Sequence, residues 1–455
     1  MKLNKNMFRE YDIRGIFGED LTKETVETLG LAIGTYLRSK GIRKTIIGRD
    51  CRLSSDSLFQ WLSDGLVSTG IDIVDAGMIP TPVLYFAAIN SAFPSGIMIT
   101  GSHNPPEFNG FKVQTGDSTI YGKEIQKLYE ITCTGKFESG KGNISSIDAL
   151  TPYHDYIVKD IKPARIDIKF AVDFGNGTAG VIAPRIMKTL GFDPILLYDE
   201  PDGRFPNHHP DPTVPEYLKD LIEKVKQEKA ELGIAYDGDA DRIGVVDGDG
   251  KILWGDQLLI IFSRAILKEN LGAKILGEVK CSKVLYDEIE KHGGKPIMWK
   301  TGHSLIKAKI KEEGALLGGE MSGHMFFAHR YFGFDDAIYA SLRLLELVSK
   351  HPDGFKGLIA DIPTTVFTPE IRVECPDDKK FAVVKNVLEV FKKRKDISVI
   401  DIDGVRVNYP SGWGLVRASN TQPVLVLRFE ADNEENLAKI KKEVETVVEQ
   451  ARKKL

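Results

Sequence analysis

Four short stretches of this chain gather side chains that could do chemistry. The first is Thr100-Gly101-Ser102-His103-Asn104-Pro105-Pro106, with Lys112 downstream. It follows Ile97-Met98-Ile99, which reads as a buried strand. The two prolines stop that strand, because each removes a backbone donor and fixes φ. Ser102 is thereby handed to a loop at a strand end, where α/β sheets place their chemistry. Gly101 lets the backbone approach a ligand. Ser102 offers a hydroxyl, and His103 and Lys112 offer positive or proton-transferring groups. The composition alone also suits an ordinary turn, since Ser, Asn and Pro are common turn residues.

The second stretch is Tyr236-Asp237-Gly238-Asp239-Ala240-Asp241-Arg242, preceded by the apolar Leu232-Gly233-Ile234-Ala235. That run places the carboxylates at the end of a buried strand, which argues against a merely solvated acidic turn. Asp237, Asp239 and Asp241 face one way if the segment is extended. Close like charges repel unless a cation sits between them, and hard oxygen ligands in that number suit Mg²⁺. A calcium-binding EF-hand loop is excluded, because Arg242 stands where it requires glycine and Gly248 where it requires glutamate. Asp247-Gly248-Asp249-Gly250, flanked by apolar runs, reads instead as a hairpin turn.

The third stretch, Gly319-Glu320-Met321-Ser322-Gly323-His324, sets a carboxylate and a hydroxyl where they could bind sugar hydroxyls, or forms a tight loop with incidental polar residues. The fourth, Arg417-Ala418-Ser419-Asn420-Thr421-Gln422-Pro423, is rich in donors that suit a phosphate monoester, or is a polar β-turn. Two further matches carry no chemistry. Asp173-Phe174-Gly175 copies a kinase tripeptide, but the glycine loop and catalytic loop of a kinase are missing. His208-His209 has no acidic or thiol neighbour in sequence and reads as structural.

The elements that must position these stretches repeat. A strand–turn–helix–strand pattern runs from Thr45 to Gly77, again from Phe170 to Glu200, and again from Lys274 to Lys300. Each copy is a βαβ unit, which favours a parallel sheet, and the three copies suggest three related α/β domains. The last stretch breaks the rhythm. Strand signals surround a helical run near Phe381, and a charged amphipathic helix ends the chain, so a small α+β domain is expected there. The expected domains are 1–151 with the serine loop, 152–254 with the acidic loop, 255–365 with the Glu320 loop and 366–455 with the Arg417 loop. A net charge of −4 over 455 residues gives no reason to expect nucleic acid. No apolar run approaches the ~20 residues of a membrane span, and the N-terminus has no signal-peptide core. Cys51, Cys133, Cys281 and Cys375 have no metal-ligand spacing and fit a reducing compartment, the cytoplasm.

Taken in order, these stretches resemble the α-D-phosphohexomutase superfamily over essentially the whole chain, most of all its bacterial phosphomannomutase/phosphoglucomutase branch. Phe8 to Gly15 and Lys300 to Ser304 complete the matching motifs. The resemblance implies three similar mixed α/β domains plus a smaller C-terminal α+β domain around a central cleft. It implies reversible phosphoryl transfer between the 1- and 6-positions of mannose or glucose phosphates, through a phosphoserine at Ser102 and a hexose 1,6-bisphosphate that also serves as activator. Asp237, Asp239 and Asp241 would hold Mg²⁺, with a phosphorylated Ser102 as a further ligand. Arg417, Ser419, Asn420 and Thr421 would grip the phosphate that is not reacting, and Glu320 and Ser322 the sugar hydroxyls. Tyr11, Arg14, Lys112, Arg242, Lys280, His303 and His324 match positions lining the family's cleft, with Arg14, Lys112 and Arg242 nearest the chemistry and His103 positioning the serine loop. The general base stays open, because Lys112 and Arg242 are ordinarily protonated. The partners implied are small hexose phosphates, with no nucleic acid or membrane, for a monomer or small homo-oligomer. The alternatives are a phosphoglucosamine mutase, whose branch usually carries glutamine where Met321 stands, and a sugar-phosphate-binding regulatory protein without activity.

Overall fold

The computed structural model describes residues 3–91, 93–116, 118–419 and 423–454. They separate into two compact units, residues 1–258 with 322–360, and residues 259–321 with 361–455.

The first unit contains two mixed sheets. In one, Ser95–Ile99, Lys44–Arg49, Asp72–Met78 and Ile144–Ser146 run parallel, and Phe108–Thr115 and Ile13–Ile16 add antiparallel strands at one side. Every residue of Ser95–Ile99 is buried, as expected for a central strand covered on both faces. Helices Lys23–Ser39 and Ser55–Ser68 pack at a glycine contact: a Cβ on Gly30 would lie 2.4 Å from the Leu62 carbonyl oxygen. In the other sheet, Phe170–Asp173 lies between Leu232–Tyr236 and Ile195–Leu197, all parallel, and Ile243–Asp247 returns antiparallel. The turn at Gly248 to Lys251 joins that strand to Ile252–Leu253, as the hairpin reading expects.

The second unit combines a parallel sheet with an antiparallel one. Lys274–Glu278 runs parallel to both Lys295–Trp299 and Leu317–Gly319. The C-terminal sheet orders Val366–Phe367, Val424–Ala431, Gly412–Ala418, Val405–Tyr409 and Ser398–Ile400, with Ile371–Glu374 also against Val424–Ala431. Helices Asp377–Phe391 and Glu434–Lys453 supply the apolar faces that cover it. Buried Arg406 ties the two sheets together, donating to the carbonyls of Val279 at 2.6 Å and Cys281 at 2.7 Å while stacking 3.7 Å from the Trp413 ring.

All three expected βαβ units form with parallel strands. Pro152, which the sequence places beside a boundary, lies in the first turn of helix Leu150–Asp160. Its missing N–H costs nothing there. Asp148 accepts from the backbone of Leu150 and Thr151 and opens that helix. Among the described residues, no helix is long and apolar enough to cross a membrane.

Candidate active site

Strand Ser95–Ile99 ends where Thr100 N–H reaches the carbonyl of Gly110, and Ser102 follows in a left-handed conformation, φ +48°. A non-glycine residue there is uncommon and costs backbone energy, which the surroundings must hold in place. Ser102 N–H donates to Thr100 Oγ1 at 2.8 Å. The Ser102 hydroxyl donates to Asp237 Oδ2 at 2.9 Å and lies 3.1 Å from His103 Nδ1. Burial, then the charges of Arg242 and Arg14, holds the His103 imidazole well below its usual pKa, so it is neutral at pH 7.

The acidic loop is not extended, as alternate spacing suggests. It is a turn, closed by Ala240 N–H to the Asp237 carbonyl at 3.1 Å, with Ala240 at φ +61°. The turn, rather than strand periodicity, brings Asp237, Asp239 and Asp241 together, with one oxygen of each within 4.8 Å of the others. Asp237 Oδ1 accepts from the backbone of Asp241 at 3.0 Å and Arg242 at 3.1 Å. A cation does sit against the triad, and it belongs to the chain. Lys112 Nζ donates to Asp239 Oδ2 at 2.8 Å and Asp241 Oδ2 at 2.6 Å. Burial works against the Lys112 charge, but Asp239 and Asp241 outweigh it and raise its pKa, so it remains an ammonium. Asp237 is pushed well above the usual carboxylate range by burial and then by its two neighbours. Asp239 Oδ1 and Asp241 Oδ1 are buried without a hydrogen-bond partner. Hard carboxylate oxygens buried without hydrogen bonds, and close to one another, fit a divalent cation such as Mg²⁺.

Arg242 follows the triad. Its Nε donates to His324 Nε2 at 3.0 Å, and His324 Nδ1 lies 3.1 Å from Asp335 Oδ2. Arg14 pairs with Asp12 at 2.5 Å. Tyr11 and Ser322 occupy half-buried bends and turns of the same unit. Ser102, His103, Lys112 and the triad are thus joined by direct contacts, and Arg242 and His324 by their own.

In the second unit, Lys280 is buried and pairs with Glu370 Oε1 at 2.7 Å, with Glu278 Oε1 at 3.9 Å. Burial would lower the Lys280 pKa, but Glu370 and Glu278 outweigh it and raise it. Glu370 is held down to about 2, chiefly by Lys280. His303 begins helix His303–Glu313. Glu320 Oε1 accepts from Gly302 N–H at 2.7 Å, which ties the Glu320 loop to that helix start. Arg417 pairs with Asp403 at 3.0 Å, and Ser419 N–H donates to Val424. Asn420 and Thr421 lie outside the described residues.

Several contributors carry no motif. Thr81 donates from its hydroxyl to Asp239 Oδ2 at 2.5 Å and from its backbone to the Asp239 carbonyl. Asp335 backs His324, and Glu278 accepts from Thr301 at 2.7 Å beside Lys280. Asp50 and Arg52, on the loop after strand Lys44–Arg49, are buried behind the serine loop. That position is the one legible signal, since loops at the ends of parallel strands are where sites form. The two motifs set aside meet each other: His208 Nε2 lies 3.0 Å from Asp173 Oδ2. The fold supplies the acidic partner that no residue adjacent to the His208-His209 pair provides. Thr178, five residues beyond Asp173, donates from its backbone to the Gly238 carbonyl in the acidic loop at 3.0 Å.

Known proteins match this arrangement along its length. Residues 5–139, 147–250 and 254–366 match the phosphoglucomutase/phosphomannomutase alpha/beta/alpha domains I, II and III, and residues 370–447 match the C-terminal domain of the same family. The chain is 50% identical over 439 residues to the phosphomannomutase/phosphoglucomutase of Pseudomonas aeruginosa, covering 96% of this chain and 94% of that one. It is 44% identical to the phosphoglucomutase of Neisseria gonorrhoeae, over 98% of this chain and 97% of that one. A crystal structure of a phosphoglucomutase/phosphomannomutase family protein from Burkholderia thailandensis superposes with a TM-score of 0.94 at 43% identity, covering 99% of this chain and 98% of that one. With relatives so similar over nearly the whole length, and with a buried serine facing an acidic triad, this chain belongs to the phosphoglucomutase/phosphomannomutase family.

Proposed function

We propose that this protein moves a phosphoryl group reversibly between the 1- and 6-positions of mannose and glucose phosphates, through phosphorylated Ser102 and a hexose 1,6-bisphosphate intermediate that turns over while bound and also serves as activator. The observation that carries this reading is Ser102 Oγ, held 2.9 Å from Asp237 Oδ2 and 3.1 Å from a neutral His103.

When a sugar hydroxyl attacks the phosphorus, the bond from phosphorus to Ser102 Oγ breaks and the hydroxyl proton is released. His103 Nδ1 lies 3.1 Å from Oγ, so the ring, neutral at rest, takes up the released hydroxyl proton and passes it to the departing serine oxygen, and the relay runs in reverse when Ser102 takes the other phosphate. Lys112 acts as fixed charge rather than as a base, because its two carboxylate partners keep it protonated. Arg242 adds a second fixed cation, aligned by His324. Asp237, Asp239 and Asp241 hold Mg²⁺, which supplies further positive charge against the phosphoryl group when bound. Lys280, His303, Arg14 and Tyr11 bind substrate. Arg417, Ser419, Asn420 and Thr421 bind the idle phosphate, and Glu320 and Ser322 bind sugar hydroxyls in either orientation. These roles distribute over domains 1–151, 152–254, 255–365 and 366–455 of a cytoplasmic enzyme whose partners are small hexose phosphates.

Steady-state assays with three hexose 1-phosphates test the reading. Glucose and mannose differ only at C2, which Glu320 and Ser322 do not read if they hold the 3- and 4-hydroxyls. Their kcat/KM values are expected within roughly tenfold, about 1.4 kcal/mol. Galactose 1-phosphate, inverted at C4, is expected to be far poorer, since it leaves a buried polar partner unpaired. Turnover of none of the three sugars would overturn the function, and equal use of galactose would overturn the Glu320 and Ser322 roles.

A further inference from the structure

The loop that carries Ser102 has an unusual backbone problem. Asn104-Pro105 and Pro105-Pro106 are peptide units with a carbonyl and no N–H, so this part of the loop can only accept hydrogen bonds. Buried acceptors need donors, and one side chain answers four of the loop's carbonyls. Arg52 Nη2 donates to Ser102 O at 2.8 Å and Asn104 O at 2.6 Å, and Nη1 donates to Pro105 O at 2.6 Å and Phe108 O at 3.0 Å. Its Nε donates to Asp50 Oδ2 at 3.1 Å. A guanidinium has five N–H donors in a planar fork, and all five are used. The Arg52 side chain is 0% exposed.

Asp50 fixes this guanidinium from behind and reaches the loop as well. Its Oδ2 also accepts from Gly101 N–H at 3.1 Å, and its Oδ1 accepts from Arg52 N–H at 3.0 Å and Ser55 Oγ at 2.6 Å. There is no room for slack. A Cβ on Gly101 would lie 2.5 Å from Arg52 Cζ, and one on Gly238 would lie 2.5 Å from the Ser102 carbonyl oxygen. On its other side the guanidinium lies 5.1 Å from the ring centre of Phe205. Arg52 therefore contacts the serine loop and the segment around Phe205, while the Ser102 carbonyl it holds abuts Gly238 in the acidic loop.

We propose that Arg52, oriented by Asp50, is a positioning residue for phosphoryl transfer: it holds the strained Ser102 backbone in the one arrangement that keeps Oγ against Asp237. The proposal rests on the reading of Ser102 as the phosphoryl carrier. Ordinary core arginines fix a fold; this one fixes the register between nucleophile and acidic loop, so its loss is read in kcat. Lysine in its place keeps the charge but offers three donors in a tetrahedral arrangement, which cannot span four carbonyls and a carboxylate.

The test uses the full-length protein with Mg²⁺, following glucose 1-phosphate turnover and, by intact mass and peptide mapping, the rate at which glucose 1,6-bisphosphate phosphorylates Ser102. Arg52→Lys is expected to lower kcat about 100-fold, the cost of a displacement of about 1 Å at the reacting atom. KM is expected to stay within about threefold, and Ser102 phosphorylation to slow in parallel with kcat. Asp50→Asn, which leaves all five donors in place but loosens them, is expected to lower kcat about tenfold with the same split. If Arg52→Lys does not fold, Asp50→Asn decides on the same measurements. A folded variant with wild-type kcat, while wild-type Ser102 accepts phosphate, overturns the positioning role and leaves the proposed function standing. Wild-type protein that takes no phosphate on Ser102 overturns the proposed function, and the positioning role with it.

Discussion

Lys112 and Lys280 are both lysines buried among carboxylates, one in each unit, and they are held differently. Lys112 lies against Asp239 and Asp241, whose side chains are 0% and 1% exposed. Its partner Asp239 is fixed in turn by Thr81. Lys280 finds its nearest partner in Glu370, which is 23% exposed. The first pair has almost no exposed surface, so bulk water screens it little. The second is open on the carboxylate side, so an anion can exchange with it. Arg417 and Asp403 follow the second pattern, with Asp403 15% exposed. The comparison separates two tasks. Groups that act on the transferring phosphoryl are fixed before substrate arrives, as electrostatic preorganisation requires. On the proposed function, groups that meet the sugar in two orientations have partners they can trade.

The largest expected effect falls on the sealed side. Asp239→Asn removes a carboxylate with an unpaired oxygen, and should cut kcat about 1,000-fold and weaken Mg²⁺ binding measured by calorimetry. Its fold should survive, because carboxylate repulsion falls. A chelator should likewise abolish turnover of the wild type. Next come the two lysines, removed in parallel. Lys112→Met leaves buried carboxylates unpaired and should cost about 3–5 kcal/mol without metal, with a Tm that added Mg²⁺ recovers far more than in the wild type. Lys280→Met should cost only about 1–2 kcal/mol and act instead on kcat/KM for glucose 1-phosphate. Equal Tm losses, both insensitive to Mg²⁺, would break the distinction between the units.

Smaller effects sharpen it. Asp403→Asn should raise KM about fivefold with kcat within twofold, because Arg417 loses its guide and nothing in the transfer step changes. The smallest effect concerns His208, whose ring lies 3.0 Å from Asp173 Oδ2. Burial lowers its pKa, but the hydrogen bond and charge of Asp173 outweigh that and raise it. The stabilisation is therefore complete below the unfolded pKa of about 6.5 and is lost as pH rises through the higher folded value. In His208→Gln, the Tm deficit relative to wild type should be present at acid pH and shrink above neutrality. A deficit that grows with pH would contradict the sign.

What the sequence made legible follows the same division. Ser102 and the three aspartates stand next to apolar strand runs, so their location at strand ends could be read directly, as could the three βαβ units with glycine stops. The arrangement of the aspartates could not, because alternate spacing describes an extended segment and the left-handed Ala240 that folds it into a turn has no sequence mark. Lys112 could be named as a charge but not as the cation of the triad, since its partners lie in another domain's loop. Arg52 and Asp50 were invisible for a related reason: the two prolines advertise missing donors, but nothing local says which side chain supplies them. Asp173 reads as a chance kinase tripeptide and His208 as lacking an adjacent acidic partner, and only tertiary structure pairs the two. In the second unit the motifs marked Glu320 and Arg417, while Asp403 and Glu370, the carboxylates that hold Arg417 and Lys280, carry no pattern of their own.

The central claim is that the chemistry belongs to the sealed side, with Ser102 carrying the phosphoryl group. Peptide mapping by mass spectrometry, after incubation with glucose 1,6-bisphosphate and Mg²⁺, tests it most directly. The account predicts one added phosphate on the peptide containing Ser102, none on Ser102→Ala, and its return to glucose 1-phosphate as the bisphosphate when that sugar is added. A phosphate on any other residue, or a Ser102→Ala protein that turns over at the wild-type rate, would contradict it.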